Sequence, residues 1–310
     1  MKPFEPLTRL LPASVRLLAG QRAPSEQARR LAEILAVDVG ELGAIRMGPR
    51  YHYRPFTIAK PDGRERRLLA PSPALKTLQR RLLDHFLVQL PVHACATAFR
   101  TGSSNVHNAR KHARQQLIAT VDVRDFFDAT RAARVRTIFV KQGWRGEELR
   151  TLMRLCVYRN GLPQGAPTSP CLSNLANLPL DERLARLAQR SGAIYTRYAD
   201  DLTFSWDRDG MPGDFRSAVE DALQTAGYEV QPCKGWRVSP ISDRPCVTGL
   251  VLTGGGRVRI PWAMRWRMWR LRWQAWWSAD ESARARLHGY EGYVRLCEAG
   301  ERRGVSPTCE

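Results

Sequence analysis

Apolar positions change their period several times along this chain, and each change marks an element. Between 24 and 36, Ala28, Leu31, Ala32, Ile34 and Leu35 recur at three- and four-residue steps behind Pro24 and Ser25, which predicts a capped helix. Over 51–70 the chain alternates, and Phe56-Thr57-Ile58, the turn Pro61-Asp62-Gly63 and Leu68-Leu69 predict a hairpin. Helical spacing returns over 72–90 at Leu75, Leu78, Leu82, Leu83 and Phe86. Leu117, Ile118, Ala119, Val121 and Val123 read as a buried strand over 116–123 that delivers Asp122. A helical stretch over 131–158, a Gly/Pro-rich loop over 161–170 and a helix over 171–189 follow. Ala193-Ile194-Tyr195 and Leu202-Thr203-Phe204 flank a tight turn and predict a hairpin over 193–206. A helix over 213–226, short strands over 228–231 and 246–252, and a basic, tryptophan-rich helical region complete the order. Helices interleaved with acid-bearing strands predict an α+β fold.

Charge sharpens this picture. The chain of 310 residues carries a net charge of +19 and a pI near 10.4, a field that favours polyanions. No apolar run reaches the roughly 18 residues of a membrane span, and Met1 to Leu11 lacks the apolar centre of a signal peptide. Seven cysteines (95, 156, 171, 233, 246, 297 and 309), with no Cys-x-x-Cys, argue against a disulfide framework and a zinc site. The expected setting is the cytoplasm, without a membrane partner, and the expected polyanion is nucleic acid.

The candidate chemistry centres on Tyr198-Ala199-Asp200-Asp201, which sets two adjacent carboxylates at the tip of the 193–206 hairpin. Adjacent acids repel, so burying them calls for a cation. Mg²⁺ suits carboxylate oxygens together with substrate phosphates. A solvated Asp-Asp turn is the bland alternative. Asp122, far off in sequence on its own strand, supplies the further carboxylate that a two-metal phosphoryl-transfer site needs. Its own bland alternative is a cap for a helix starting near Asp125.

With these residues in order, the chain resembles a reverse transcriptase from about residue 51 to 252. Asp122 with Phe127 resembles the first palm motif, Leu162-Pro163-Gln164-Gly165 with Ser169-Pro170 the second, and Tyr198 to Asp201 the third. Lys234, after Gly227-Tyr228, resembles the lysine of the fourth, while Lys60 and Arg66 resemble triphosphate-holding residues of the fingers. Arg67 is equally basic, so that last position stays open by one. The resemblance implies a right-hand polymerase. Its parts would be an N-terminal helical region over 1–50, fingers and lead-in over 51–120, a palm over 121–252 and a small helical thumb over 253–310, with 161–190 shared between palm and fingers. It implies two Mg²⁺ ions, with Mn²⁺ as a substitute, held by Asp122, Val123, Asp200 and Asp201, the three aspartates being catalytic. It also implies dNTP contacts from Lys60, Arg66, Gln164, Gly165 and Lys234, and a Phe127 that excludes a 2′-OH.

Three features resemble the retron branch of that family. Asn108-Ala109-Arg110-Lys111-His112 precedes the first palm strand, Val247-Thr248-Gly249-Leu250 follows the palm, and the N-terminal helices lead directly into Tyr53-Arg54-Pro55-Phe56. The likeness implies a cognate noncoding RNA, priming from an internal guanosine 2′-OH, a branched msDNA product, an effector protein and a role in anti-phage defence. On this reading Asn108, His112, Thr248 and Gly249 touch nucleic acid. Another bacterial reverse transcriptase, intron-related or defensive, is the alternative, and a non-catalytic RNA-binding scaffold a further one.

Residues 244–279 contain no acid. Trp262, Trp266, Trp269, Trp273 and Trp276 recur at steps of four and three, which places them on one helical face. That stripe is expected to pack as thumb core, leaving Arg265, Arg267, Arg270 and Arg272 to grip RNA or hybrid phosphates.

Overall fold

A computed structural model of the chain describes residues 24–47, 53–59, 65–232, 235–277 and 281–298. Its elements run α1 (Glu26–Leu35), α2 (Leu42–Met47), β1 (Tyr53–Ala59), β2 (Glu65–Pro71), α3 (Pro73–His85), α4 (Asn105–His112) and β3 (Leu117–Asp122). There follow α5 (Phe126–Ala129), α6 (Ala132–Lys141), α7 (Gly146–Cys156), α8 (Ser169–Ala176), α9 (Leu178–Arg190), β4 (Ile194–Tyr198), β5 (Asp201–Trp206) and α10 (Phe215–Thr225). The remainder is β6 (Trp236–Pro240), β7 (Cys246–Val247), β8 (Leu250–Thr253), β9 (Arg257–Arg259), α11 (Trp262–Trp277) and α12 (Glu281–Glu298). The mixture of helices and antiparallel sheets is α+β. No helix among the described residues is long and apolar enough to cross a membrane.

The chain divides into two compact units, the first formed by the stretches up to Val92 and from Asp125 to Leu178. Ser25 and Ser72 start its helices α1 and α3 by accepting from the backbone N–H three residues on, which satisfies donors that a helix start leaves orphaned. Their inward faces, with Leu31, Leu35 and Leu82, join Phe139, Trp144 and Leu152 in one core. Phe86 meets the Trp144 ring edge-on at 5.9 Å. β1 and β2 pair antiparallel, Ile58 opposite Arg66. The helical stretch expected over 131–158 is two helices, because Gly143 adopts φ 87 and ends α6 before Trp144 turns into the core. The helix expected over 171–189 is likewise divided, α8 ending at Asn177 just ahead of Pro179.

The second unit comprises the stretch from His93 to Arg124 and the chain from Pro179 onward. Its main sheet is antiparallel throughout, in the order β4-β5-β3-β6. Phe204 on β5 stacks on Tyr195 at 4.9 Å and meets the Phe215 ring of α10 edge-on at 5.0 Å, so α10 covers one face. β6 is absent from the sequence reading, and the strand expected over 228–231 is only a bridge between Val230 and Val123. A smaller sheet, β7-β8-β9, forms a second core in which Val247, Leu250 and Val258 pack with Val106, Ala109 and Cys297.

Candidate active site

Strand register brings the distant acids together. Asp122, the last residue of β3, lies directly opposite Asp201, the first of β5. Directly opposed residues of an antiparallel pair send their side chains to the same face. One step on, the Val123 N–H donates to the Asp200 carbonyl at 3.0 Å, while the Gln231 N–H binds the Asp122 carbonyl at 2.8 Å. Asp122 is 4% exposed, and Asp200 and Asp201 are half-buried.

The hairpin tip is held from behind. Ala199 sits at φ 58, a left-handed conformation that costs an L-residue roughly 1–2 kcal/mol. Arg197 is fully buried; its Nη1 donates to the Ala199 carbonyl at 3.2 Å, while Nε and Nη2 grip the Asp181 carboxylate of α9 at 2.8 and 2.6 Å. Tyr195 donates its hydroxyl to the same carboxylate at 3.1 Å. Burial opposes the charge on Arg197, but Asp181 outweighs it and leaves the guanidinium pKa raised, so the pair stays ionic. Sequence reasoning passed over this pair because the partners lie 16 residues apart on different elements. It also missed Arg237 on β6, whose Nη2 lies 4.0 Å from Asp122 Oδ2.

The donor set suits a hard divalent ion. Asp122 and Asp201 offer only carboxylate oxygens, and Mg²⁺ is commonly held by one or two carboxylates plus substrate phosphates. Among the described residues no three His, Cys, Asp or Glu side chains converge closely enough to hold a metal by themselves. An ion held by Asp122 and Asp201 would take the rest of its coordination from substrate and water.

The expected nucleotide residues of the first unit form their own neighbourhood. Gln164 accepts from the Leu69 N–H of β2 at 2.8 Å through its backbone carbonyl, and Leu162 N–H donates to the Phe127 carbonyl at 3.0 Å. Gly165 has φ 124, and a Cβ there would lie 2.7 Å from the Leu69 carbonyl oxygen, so only glycine fits so close to β2. Phe127 is partly buried, its ring edge-on to Phe126 at 5.5 Å. Arg66 is exposed on β2. Its neighbour Arg67 acts electrostatically on Asp128, whose carboxyl is pushed up by burial and by Asp125 and pulled back by Arg131 and Arg67. Arg67 is thus within electrostatic reach of Asp128, the residue after Phe127, while the choice between Arg66 and Arg67 stays open. Lys60 and Lys234 lie outside the described residues.

Two expected nucleic-acid contacts are corrected. Asn108 and His112 are completely buried and offer no surface to an RNA. Asn108 Oδ1 accepts from the Thr97 hydroxyl at 2.7 Å. The His112 ring bridges Ser205 at 2.6 Å and Thr196 at 2.7 Å, which ties α4 to β4 and β5. Burial, and after it the charge of Lys111, pushes the His112 pKa down to about 3, so the ring is neutral at pH 7.

Thr248 and Gly249, at φ 47 and 80, form the two-residue turn of the β7–β8 hairpin. Thr248 donates to the Asn105 carbonyl at 3.1 Å, and Asn105 returns a bond to the Thr248 carbonyl at 3.2 Å. One signature therefore anchors α4 to the main sheet, and the other clasps its first residue. Gly249 remains exposed.

The tryptophan stripe is also corrected. Trp262, Trp266, Trp269, Trp273, Trp276 and Trp277 are exposed, and α11 packs instead through Met264, Met268 and Leu271, a second stripe at the same spacing. Arg265, Arg267, Arg270 and Arg272 are exposed, Arg272 pairing with Glu291 at 2.9 Å and Arg267 with the Tyr290 hydroxyl at 3.4 Å.

Comparison with known proteins agrees with this geometry. The family model for reverse transcriptase (RNA-dependent DNA polymerase) matches residues 58–242. The chain is 36% identical over 265 residues to the retron Mx162 reverse transcriptase of Myxococcus xanthus, covering 75% of this chain and 54% of that protein. It is 35% identical over 205 residues to the retron Ec86 reverse transcriptase of Escherichia coli, covering 66% and 64%. A further Myxococcus xanthus relative, the retron Mx65 reverse transcriptase, is 36% identical over 65% of this chain and 51% of its own length. The chain thus spans about half the length of its Myxococcus relatives and somewhat less than two thirds of the Escherichia coli one. With a family model covering more than half of its residues and relatives of this kind, the chain belongs to the reverse transcriptase family, as a retron-type member.

Proposed function

We propose that this chain is the RNA-directed DNA polymerase of a retron, copying part of a cognate noncoding RNA into msDNA from an internal guanosine 2′-OH. The observation that carries the reading is the register of Asp122 against Asp201, with Asp200 bonded beside them through its backbone. In this reading the second unit's main sheet is the palm, the first unit contributes the fingers, and α11 with α12 is the thumb.

Asp122, Asp200 and Asp201, with the Val123 backbone, would hold two Mg²⁺ ions, Mn²⁺ being an acceptable substitute. Bound there, the ions would lower the pKa of the attacking hydroxyl and neutralise charge on the leaving pyrophosphate. Arg197 and Asp181 keep the carboxylate tip fixed, so no reorganisation is needed when charge develops. Arg66 or Arg67, together with Lys60 and Lys234, would bind the triphosphate; Gln164 and Gly165 would line the nucleotide pocket, and Phe127 would press under the sugar. The remaining expectations of the retron reading are an effector protein partner, anti-phage defence and a cytoplasmic setting. They rest on the resemblance to the retron branch alone.

Primer extension on an RNA template with Mg²⁺ tests the catalytic assignment. Asp200→Asn/Asp201→Asn should lower the rate more than about a hundredfold, because each metal supplies several kcal/mol of transition-state stabilisation. A loss below about tenfold would overturn it. A covalent RNA–DNA product formed on the cognate RNA without added primer tests the retron part, and strict dependence on an added primer would refute it.

A further inference from the structure

Helix α11 carries two apolar stripes and buries only one. Met264 and Met268 pack against the core of the small sheet, and Leu271 is buried. On the other side six tryptophans, of nine in the whole chain, stay between 48% and 74% exposed. Together they present on the order of 800 Å² of aromatic surface, beyond the ~300–600 Å² of a typical monomer's largest patch. Ring contacts run unbroken from Trp262 to Trp277, with successive centroids 5.2 to 6.3 Å apart. The row is about 22 Å long at 1.5 Å per residue, room for several nucleotides.

Charge decides what covers it. Arg265 and Arg272 line a cleft on one shoulder with Trp269, where Glu298 also lies and Glu291 pairs with Arg272 at 2.9 Å. Arg267 and Arg270 line another with Trp266, joined there by Arg286 of α12. No acid occurs anywhere in 244–279, and the chain as a whole is +19. A second copy would bring like charge to like charge. An aromatic row bordered on both sides by guanidinium groups matches a strand whose bases stack while its phosphates lie outward. In a duplex the base faces are already occupied, so the strand must be unpaired.

We propose that the tryptophan face of α11 is a stacking platform for an unpaired stretch of RNA, held at both shoulders by arginines. The choice of RNA over DNA rests on the function proposed above; the platform itself does not. It differs from a backbone grip on a stem, because the tryptophans rather than the arginines carry most of the affinity.

Fluorescence anisotropy of labelled oligouridine on the full chain tests this without metal or dNTP. Trp269→Ala/Trp273→Ala should keep the wild-type melting temperature, since both rings are exposed, and should weaken binding about thirtyfold or more. Its salt slope should stay unchanged, whereas Arg270→Gln should flatten that slope by about 0.7. Trp269→Leu/Trp273→Leu keeps an apolar surface and should lose as much, which assigns the effect to the rings. Wild-type affinity in the double variants would overturn the proposal. So would an equal loss for double-stranded RNA, or conversion of a dimer to a monomer with oligouridine affinity unchanged. Tighter binding of oligothymidine than oligouridine would overturn the choice of RNA. An Asp200→Asn/Asp201→Asn chain should bind oligouridine as wild type does; if that substitution instead left polymerisation intact, the proposed function would fail while the platform stood.

Discussion

The acidic hairpin and the tryptophan helix both announce themselves in the sequence, yet the fold treats them in opposite ways. At the hairpin, polar side chains that look like surface are drawn inside and bonded on every side, Arg197 and Asp181 being wholly buried. At the helix, six of the chain's nine tryptophans are left in solvent. The first pattern fixes a geometry; the second waits for something to cover it. Departures from the ordinary partition of residues are where a function is most readable.

Predictions that break this comparison begin with the hairpin. Beyond the aspartate substitutions, Arg197→Ala should cost about 3–5 kcal/mol in urea unfolding, because it strands the Asp181 carboxylate in the interior. Arg197→Met/Asp181→Leu removes both charges and should recover most of that stability, yet remain slow in primer extension because the Ala199 carbonyl has lost its donor. Recovery of full activity in the double variant would reduce the pair to mere packing.

His112 gives a smaller, pH-dependent effect. Its folded pKa of about 3 lies below the ordinary 6.5. The neutral ring therefore contributes stability that is fully present above pH 6.5 and lost as pH falls from there toward 3. The urea midpoint should drop between pH 7 and pH 5 in the wild type and change less in His112→Gln. Phe127→Ala should give the mildest phenotype. It should raise ribonucleotide incorporation relative to deoxyribonucleotide at a modest cost in stability, since the ring packs against the first core, and unchanged discrimination would remove its role at the sugar.

Particular residues show why some of this was legible and some was not. Asp122, Asp200 and Asp201 stood out because short motifs and strand patterning gave each a place, and register did the rest. Arg197 carried no signal, since its partner is set by how α9 lies against the sheet. Asn108 and His112 misled because a buried polar group satisfied by Thr97, Thr196 and Ser205 reads in sequence like a surface one. The helix α11 misled for another reason. Trp262–Trp276 and Met264–Leu271 share one spacing on opposite faces, and periodicity alone does not say which is turned inward. β6 escaped because Trp236-Arg237-Val238-Ser239-Pro240 is short, charged and closed by proline.

Asn105 has a practical consequence for anyone recombining such enzymes. It joins the Thr248 turn to the Tyr293 hydroxyl of α12, which it reaches at 2.6 Å. Three segments distant in the gene therefore behave as one mechanical joint. A chimera that imports a foreign C-terminal module while keeping its own 105–112 segment inherits half a clasp. Segments 105–112, 246–253 and the stretch around Tyr293 should travel together as a single cassette.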